Sequence, residues 1–292
     1  MEKFLYKKLN AFSVGNSPGN PAGCLYLTGD QCLSEAEMLS IAKEHKGFVS
    51  EVIYCTSMDG CSYRLRYYSS EGEVEFCGHG TIACMYDLIK SNDKLNSLPE
   101  IIISTNKGKL PVYNELRSSD AVFITAPDPK YLKVPVESSD IADHLGILRE
   151  VINSSYPIEL IDAGLRTLIV PIVNLMDTIR IKPDELKLKE FCLRNEIDII
   201  LVFTLEVINK DQKARTRVFA PKFGYLEDPA TGSGNSSFGY YMFRNGLWNG
   251  EIISIEQNGE IDNYNIVKLK TKDNKVLFGG KAALKVEGYY YL

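Results

Sequence analysis

Two glycine-rich segments carry the side chains best suited to chemistry. The first is Cys77-Gly78-His79-Gly80 and the second is Thr231-Gly232-Ser233-Gly234. Apolar residues at helical spacing follow each segment, so each is predicted to begin a buried helix. The free backbone N–H groups and the dipole at a helix start favour an anion. The pair therefore predicts donors around Gly78 and Gly232 for a carboxylate or a developing enolate, while glycines that only permit tight turns remain the alternative.

Glu51 is the candidate proton carrier. It falls in a strand predicted over residues 48–55, where alternation places it on the same face as three apolar side chains: Val49, Ile53 and Cys55. Loss of hydration favours the neutral form of a carboxyl group, which makes such a glutamate a base that can take and return a proton near neutral pH. The alternative is a glutamate on an edge strand that reaches solvent.

Three further polar residues lie at the two predicted helix starts. His79 stands between the glycines of the first, where it can donate to a bound anion, relay a proton or cap its own helix. Asp228 and Ser233 bracket the second, where substrate contact and helix capping both fit the pattern. Glu73 and Glu227 occupy equivalent positions before the two segments. Because these acids are present in both copies, we expect them to stabilise the fold rather than to perform an asymmetric reaction.

Cys77 is a candidate base or nucleophile, because a thiol at a helix start has a lowered pKa. Its counterpart in the second segment is Thr231, so a racemase with two opposed thiols lacks one of them. A buried structural cysteine is therefore the preferred interpretation. Racemase chemistry through Cys77 is kept as a separate hypothesis.

The composition excludes several classes of protein. The chain has 292 residues, with 33 Lys and Arg against 38 Asp and Glu, and its net charge of -5 without a basic stripe disfavours nucleic-acid binding. The seven cysteines and three histidines are scattered, so no disulfide framework and no metal site is predicted. The amino terminus is charged where a secretory signal needs an apolar run, and no apolar run is long enough to cross a bilayer. We expect a cytoplasmic protein with a small-molecule substrate and no membrane partner.

The elements around these residues repeat along the chain. Residues 73–81 align with residues 227–235 at a fixed offset of 154 residues. In each half a surface helix, a strand, the Gly-x-Gly helix and a hairpin follow in the same order, beginning with a capping box at Ser34 and ending with a hairpin turn at Asn258-Gly259. We therefore predict an α+β protein with two pseudo-symmetric lobes, each a mainly antiparallel β-roll or barrel around a central α-helix. The predicted lobes are residues 1–117 with 280–292, and residues 118–279.

Several motifs in combination resemble one known family. In chain order they are Asn10-Ala11-Phe12, Gly19-Asn20-Pro21-Ala22-Gly23, Ser50-Glu51, Arg66-Tyr67-Tyr68, Gly72-Glu73-Val74-Glu75-Phe76-Cys77-Gly78-His79-Gly80-Thr81 and Glu227-Asp228-Pro229-Ala230-Thr231-Gly232-Ser233-Gly234. The match spans most of the chain, and the Cys-Gly-His and Asp-Pro-Ala-Thr-Gly-Ser segments are specific together. The chain resembles the PhzF-like phenazine-biosynthesis isomerases.

This resemblance implies the diaminopimelate epimerase-like fold and a homodimer. It also implies a cofactor-free isomerase in which a glutamate, here Glu51, shuttles a proton between carbons of a small cyclic amino acid in a cleft between the lobes. The substrate would be held by His79, Asp228 and Ser233, with backbone donors around Gly78 and Gly232. The alternative on the same fold is a non-catalytic metabolite-binding or protein-interaction module.

Three departures from the family pattern bear on the substrate rather than on the reaction class. Gly80 stands where the family has alanine, and Val52-Ile53-Tyr54 replaces a Thr-Ala-Phe-like run after the glutamate. Gly234-Asn235-Ser236-Ser237 stands where the second helix more often begins with alanine and other small apolar residues.

Overall fold

The structure is a computed structural model that describes residues 2–292, and it is a mixed α/β fold dominated by strands. The first part of the chain forms β1 (Lys3–Ala11), β2 (Asn20–Leu27), α1 (Glu35–Glu44), β3 (Glu51–Ser57), β4 (Tyr63–Ser69), β5 (Gly72–Val74), α2 (Gly78–Lys90), α3 (Asp93–Asn96), β6 (Glu100–Thr105), β7 (Gly108–Glu115), α4 (Leu116–Ser119) and β8 (Ala121–Thr125). The rest forms β9 (Lys130–Leu132), α5 (Ser138–Leu145), β10 (Glu159–Asp162), β11 (Arg166–Pro171), α6 (Leu175–Arg180), α7 (Glu185–Arg194), β12 (Ile199–Thr204), β13 (Ala214–Phe219), β14 (Glu227–Asp228), α8 (Gly232–Arg244), β15 (Ile253–Gln257), β16 (Asn265–Lys272), β17 (Lys275–Gly280) and β18 (Ala282–Tyr291). None of the helices described is long and apolar enough to span a bilayer.

The chain divides into two compact units. The first runs to Thr125 and takes up the chain again from Gly279, whereas the second spans Ala126–Phe278. The first unit includes β8, because β8 pairs antiparallel with β7. The sequence-based boundary instead assigned residues 118–125 to the second lobe. The last strand, β18, pairs antiparallel with β1 over most of its length and so belongs to the first unit.

The strands pair in the same order and direction within each unit. In the first, β1–β2 is antiparallel, β2–β3 parallel and β3–β4 antiparallel, and β4 pairs with β5 antiparallel and with β6 parallel. In the second, β10–β11 is antiparallel, β11–β12 parallel and β12–β13 antiparallel, and β13 pairs with β14 antiparallel and with β15 parallel. In each unit a helix of 13 residues begins at the Gly-x-Gly segment: α2 in the first unit and α8 in the second.

Both Gly-x-Gly helices are packed inside their own units. Helix α2 contacts β1, β2, β3, β8 and β18, and α8 contacts β10, β11, β12 and β16. Their fully buried side chains include Ile82, Met85, Ile89, Phe238 and Tyr241. Full burial of a side chain of this size stabilises the fold by about 1.5–3 kcal/mol. The prediction of burial is wrong for Phe243, which is 47% exposed at the last turn of α8 and contacts the Trp248 ring.

The surface helices begin where their caps predict. Ser34 accepts a hydrogen bond from the Glu37 N–H, and the Glu37 carboxylate accepts one from the Ser34 N–H, so α1 has the predicted capping box. Asp184 caps α7 by accepting a hydrogen bond from the Lys187 N–H. Helix α1 packs against β3 and β4, whereas α7 packs against α5 and the turn at residues 221–223.

The turn predicted at Asn258-Gly259 is wrong, because β15 ends at Gln257 and β16 begins only at Asn265. The longer connection wraps around the fully buried Arg215, which pairs with Glu256 at 3.1 Å. The Arg215 guanidinium also donates to the carbonyls of Asn258, Glu260 and Ile261. A buried guanidinium needs these acceptors, which a two-residue turn does not supply.

Candidate functional site

Glu51 is the first residue of β3, an interior strand. It lies beside Ala22 of β2 in the parallel pair, and the next residue, Val52, lies opposite Tyr68 of β4. The edge-strand alternative for Glu51 is therefore wrong. Its side chain is 22% exposed, so Glu51 is partly buried and does not lie in bulk water.

The start of α2 is capped by sulfur rather than by imidazole. Cys77 is the N-cap residue, and its Sγ accepts from the Gly80 N–H at 3.4 Å. The carbonyl of Cys77 accepts from the hydroxyl of Thr81, and that hydroxyl also bonds to the Tyr67 hydroxyl. Because Cys77 supplies the cap, the alternative in which His79 only caps its own helix is wrong, and the imidazole is available for other contacts.

Three titratable side chains meet at this helix start. Nε2 of His79 lies 3.2 Å from Oε2 of Glu51, and Nδ1 of His79 lies 3.5 Å from Sγ of Cys77. One ligand atom from each of the three lies within 4.8 Å of the other two. The fold thus brings together Glu51 and a motif 26 residues further along the chain, a cluster that the sequence prediction of no metal site did not include.

The Glu51 carboxylate keeps one buried oxygen without a hydrogen bond from the residues described. Oε2 lies 3.2 Å from Nε2 of His79 and has no other hydrogen-bond partner within residues 2–292. A buried oxygen in this state has a lone pair available to accept a proton.

Burial and charge act in opposite directions on His79. Burial alone lowers the pKa of His79, but Cys77 and Glu51 beside the ring outweigh it and raise this pKa well above its usual value. These neighbours favour the protonated imidazole, which lies 3.2 Å from the Glu51 carboxylate.

The Cys77 thiol is not activated in the way expected of a helix start. Burial raises the pKa of Cys77, and the neighbouring His79 only partly opposes that effect. The thiol is therefore protonated near neutral pH, and the interpretation as a buried structural cysteine is the one that its 7% exposure supports.

The side chain of Ile53 packs directly against Gly80. A Cβ added at Gly80 would lie 2.7 Å from Cδ1 and 2.9 Å from Cγ1 of Ile53. Ile53 therefore fills the space that a side chain at position 80 would occupy, and the added Cβ would also lie 3.0 Å from Sγ of Cys77.

The second helix start is held by neutral amides. Gln257, fully buried at the end of β15, accepts from the Thr231 N–H at 3.0 Å and from the Asn235 amide at 2.6 Å. Its own amide donates to the carbonyl of Asp228 and to the hydroxyl of Thr231. Gln257 is a positioning residue that sequence reasoning missed, because 26 residues separate it from Thr231 and no motif marks it.

The other predicted residues of the second unit lie around this start. Asp228 is 8% exposed, and its Oδ1 accepts from the Ala230 N–H at 3.3 Å, whereas Ser233 is half-buried in the first turn of α8. Gly232 has no room for a side chain, because an added Cβ would lie 2.4 Å from the Phe278 ring. Neither Asp228 nor Ser233 is the N-cap residue, which is Thr231.

Glu51 has an apolar counterpart in the second unit. Val52 lies opposite Tyr68, which lies opposite Glu73. In the same way Ile200 lies opposite Phe219, which lies opposite Glu227. The residue equivalent to Glu51 is therefore Ile199, which is 1% exposed.

The duplicated acids have structural partners, as predicted. Glu73 holds Arg66 through two hydrogen bonds of 2.7 Å, and Glu227 holds Arg217 through bonds of 3.0 and 2.7 Å. Arg217 also donates to three carbonyls of the segment around α6. Both acids tie a short strand to its neighbour and are occupied by that role.

A separate cavity of about 250 Å³ lies elsewhere in the first unit. Its lining includes the ion pair between Lys7 and Asp87, at 2.9 Å, and the Tyr26 hydroxyl that donates to the same carboxylate. Neither Glu51 nor His79 lines it, so it is not the site built around the helix start.

The chain is similar in sequence to the proteins of one known family. The sequence profile of the PhzC-PhzF family, described as phenazine biosynthesis-like protein, matches residues 9–288. The uncharacterized isomerase YfhB of Bacillus subtilis is 31% identical over 256 residues, which cover 87% of this chain and 86% of that one. Antisense-enhancing sequence 1 of Schizosaccharomyces pombe is 28% identical, over 83% of this chain and 81% of that one.

A solved structure gives the same result for the fold. The crystal structure of the phenazine biosynthesis protein of the PhzF family from Bacillus anthracis is 24% identical and has a TM-score of 0.86, with 100% of each chain covered. With the profile match over most of its length, this chain belongs to the PhzC-PhzF family of phenazine biosynthesis-like proteins.

Proposed function

We propose that this protein is a cofactor-independent isomerase that moves a proton between two carbons of a small, carboxylate-bearing, cyclic amino-acid-like substrate. Glu51 is the proposed proton carrier. The observation that carries the proposal is the pairing of Glu51 Oε2 with His79 Nε2 at 3.2 Å beside the start of α2. A carboxylate beside an imidazole that favours its protonated form and a set of backbone donors is suited to proton transfer from carbon.

The reaction balances without another reactant. The Glu51 carboxylate accepts a proton from a C–H group that lies between the substrate's carboxylate or carbonyl and a C=C bond, and the electron pair of that C–H bond delocalises as a dienolate. The cationic His79 and the N–H groups at Gly78 stabilise the negative charge. The carboxylic acid of Glu51 then returns the proton to a different carbon while the double bond shifts.

The proposal includes substrate contacts at both helix starts and a diaminopimelate epimerase-like arrangement of two pseudo-symmetric lobes. His79 and the Gly78 backbone would bind near the reacting carbons. Asp228 can accept from an ammonium group, while Ser233 and the Gly232 N–H can donate to a carboxylate. Assembly as a homodimer remains a prediction from the family resemblance.

Hydrogen exchange in deuterated water tests this function without knowledge of the product. Candidate cyclic amino acids and other carbon acids are incubated with the protein, and deuterium uptake is followed by NMR. We expect uptake into one class of these compounds, and a loss of about 100-fold to 10,000-fold in the Glu51→Gln variant, as for removal of a general base.

Glu75→Gln is the matched control, because the Glu75 side chain is 77% exposed and pairs only weakly with Lys107 at 3.7 Å. It should retain the exchange rate of the original chain. Exchange that is equally fast in Glu51→Gln would contradict the assignment of the proton carrier. Ligand binding that survives Glu51→Gln unchanged, with no exchange in any compound bound, would instead indicate the non-catalytic module.

A further inference from the structure

We propose that Glu51, Cys77 and His79 also form a binding site for a thiophilic divalent cation of the Zn²⁺ type. The three side chains offer one carboxylate oxygen, one sulfur and one imidazole nitrogen, all within 4.8 Å of one another. Cysteine, histidine and glutamate are the ligands that Zn²⁺ takes in proteins, whereas Mg²⁺ and Ca²⁺ require mainly oxygen.

The distances fit a tetrahedral centre with little movement. Bond lengths to zinc of about 2.0–2.3 Å place two ligand atoms about 3.3–3.6 Å apart at tetrahedral angles. In the structure, Nε2 of His79 is 3.2 Å from Oε2 of Glu51 and 3.9 Å from Sγ of Cys77. The remaining pair, a Glu51 oxygen and Sγ of Cys77, lies within 4.8 Å, so these two side chains must move toward each other to close the triangle around an ion.

The surroundings also allow an ion to enter and bind. The side chains of His79 and Glu51 are 13% and 22% exposed, and Oε2 of Glu51 accepts no hydrogen bond from the residues described. The N–H of Gly80, already 3.4 Å from Sγ, and the positive end of α2 stabilise the thiolate.

The second unit provides an internal comparison. The residues equivalent to Glu51, Cys77 and His79 are Ile199, Thr231 and Ser233, which offer no thiolate, imidazole or carboxylate. One ion per chain is therefore expected.

Binding should inhibit the isomerase, and this part of the inference rests on the proposed function. A coordinated Glu51 has no free oxygen with which to carry a proton, and a coordinated His79 is no longer the cation that faces the enolate. The fourth position of the ion remains open to solvent or to a carboxylate ligand.

Cobalt(II) is the probe for the test, because a bond from thiolate sulfur to Co²⁺ gives a near-ultraviolet charge-transfer absorption. Chelator-treated protein is titrated with Co²⁺ and then with Zn²⁺. We expect one Co²⁺ per chain, a charge-transfer band, and its loss on displacement by Zn²⁺. The band should disappear in Cys77→Ser, which retains a side chain suited to an N-cap and should therefore fold. Affinity for Co²⁺ should fall at least 10-fold in Glu51→Gln.

Cys32→Ser is the control for adventitious binding to an exposed thiol and should keep the full band. A wild-type spectrum without the band, or a band that survives in Cys77→Ser, would overturn the site. The exchange assay separates the two proposals, since metal binding is read without substrate. Glu51-dependent exchange with no cobalt band removes the metal site alone, whereas a Cys77-dependent band without Glu51-dependent exchange removes the proposed isomerase and the inhibition.

Discussion

The two Gly-x-Gly helix starts have the same backbone design and opposite chemistry. The first is surrounded by Glu51, Cys77 and His79, and the equivalent positions of the second hold Ile199, Thr231 and Ser233. A buried Gln257 braces the second start through neutral hydrogen bonds. Three titratable side chains at the first start therefore correspond to three neutral side chains at the second.

The features that both units share are the arginine–glutamate pairs that join neighbouring strands. Arg66 with Glu73 and Arg217 with Glu227 join equivalent strands by paired hydrogen bonds. The comparison separates two groups of residues within one chain: those present in both units, which pair neighbouring strands, and those present in one unit, which are the candidates for chemistry. A duplicated acid is then a weak candidate for catalysis, and an acid whose counterpart is isoleucine is a strong one.

The largest difference in stability should come from the two arginines. Arg217 is 6% exposed and also donates to three carbonyls, so Arg217→Met leaves Glu227 and these carbonyls without their donor. We expect a loss of about 3–5 kcal/mol in the free energy of unfolding, as for a broken buried pair. The side chain of Arg66 is 21% exposed, so Arg66→Met should lower the free energy of unfolding by at most about 1 kcal/mol. Urea denaturation measures both, and equal losses would contradict the difference in burial.

A smaller effect on stability is expected from the second glycine of each Gly-x-Gly segment. Gly80→Ala forces a Cβ to within 2.7 Å of Ile53, whereas Gly234→Ala brings it to 3.2 Å from Ile199. Overpacking of the first kind costs about 1–3 kcal/mol, and we expect less than about 1 kcal/mol for the second.

The double variant Ile53→Ala with Gly80→Ala tests whether the two positions are coupled through packing. Its loss in stability should be smaller than the sum of the two single losses, because the added methyl group occupies space vacated by isoleucine. Strictly additive losses would show that the two positions are not coupled.

The smallest effect is a pH dependence confined to the first unit. The pKa of His79 is raised on folding by Cys77 and Glu51 against the effect of burial, so His79 adds stability below its unfolded pKa of about 6.5 and loses it as the pH rises through the raised value. At about pH 6 the free energy of unfolding of the original chain should exceed that of His79→Asn by on the order of 1 kcal/mol, and this difference should shrink at alkaline pH. Ser233→Ala should show no such dependence. A difference for His79→Asn that grows with pH would contradict the ion pair.

Local chemistry made the helices predictable from sequence. The capping box at Ser34, the cap at Asp184 and the apolar spacing after each Gly-x-Gly depend on neighbours within one or two helical turns. The repeat could also be found, because the spacing between the motifs is fixed. Phe243 was assigned to the wrong environment because the pattern of a helix does not show where the surrounding strands end.

The contacts that define the site depend on distant parts of the chain. The pattern singled out Glu51 and His79 separately, but their approach to 3.2 Å follows from the pairing of β3 with β2 and the packing of α2 against both strands. Gln257 and the loop around Arg215 were missed for the same reason. Their partners are fixed by tertiary structure and leave no local signal.

The central claim is that proton transfer is carried by Glu51, which has no equivalent in the second unit, and not by the Cys77 thiol. The most direct test compares deuterium uptake by one substrate in Glu51→Gln and Cys77→Ser under identical, chelator-treated conditions. The account predicts that Glu51→Gln loses uptake by at least about 100-fold while Cys77→Ser stays within about 10-fold of the original chain. The reverse result, with uptake abolished in Cys77→Ser and retained in Glu51→Gln, would contradict it and assign the reaction to racemase-type thiol chemistry.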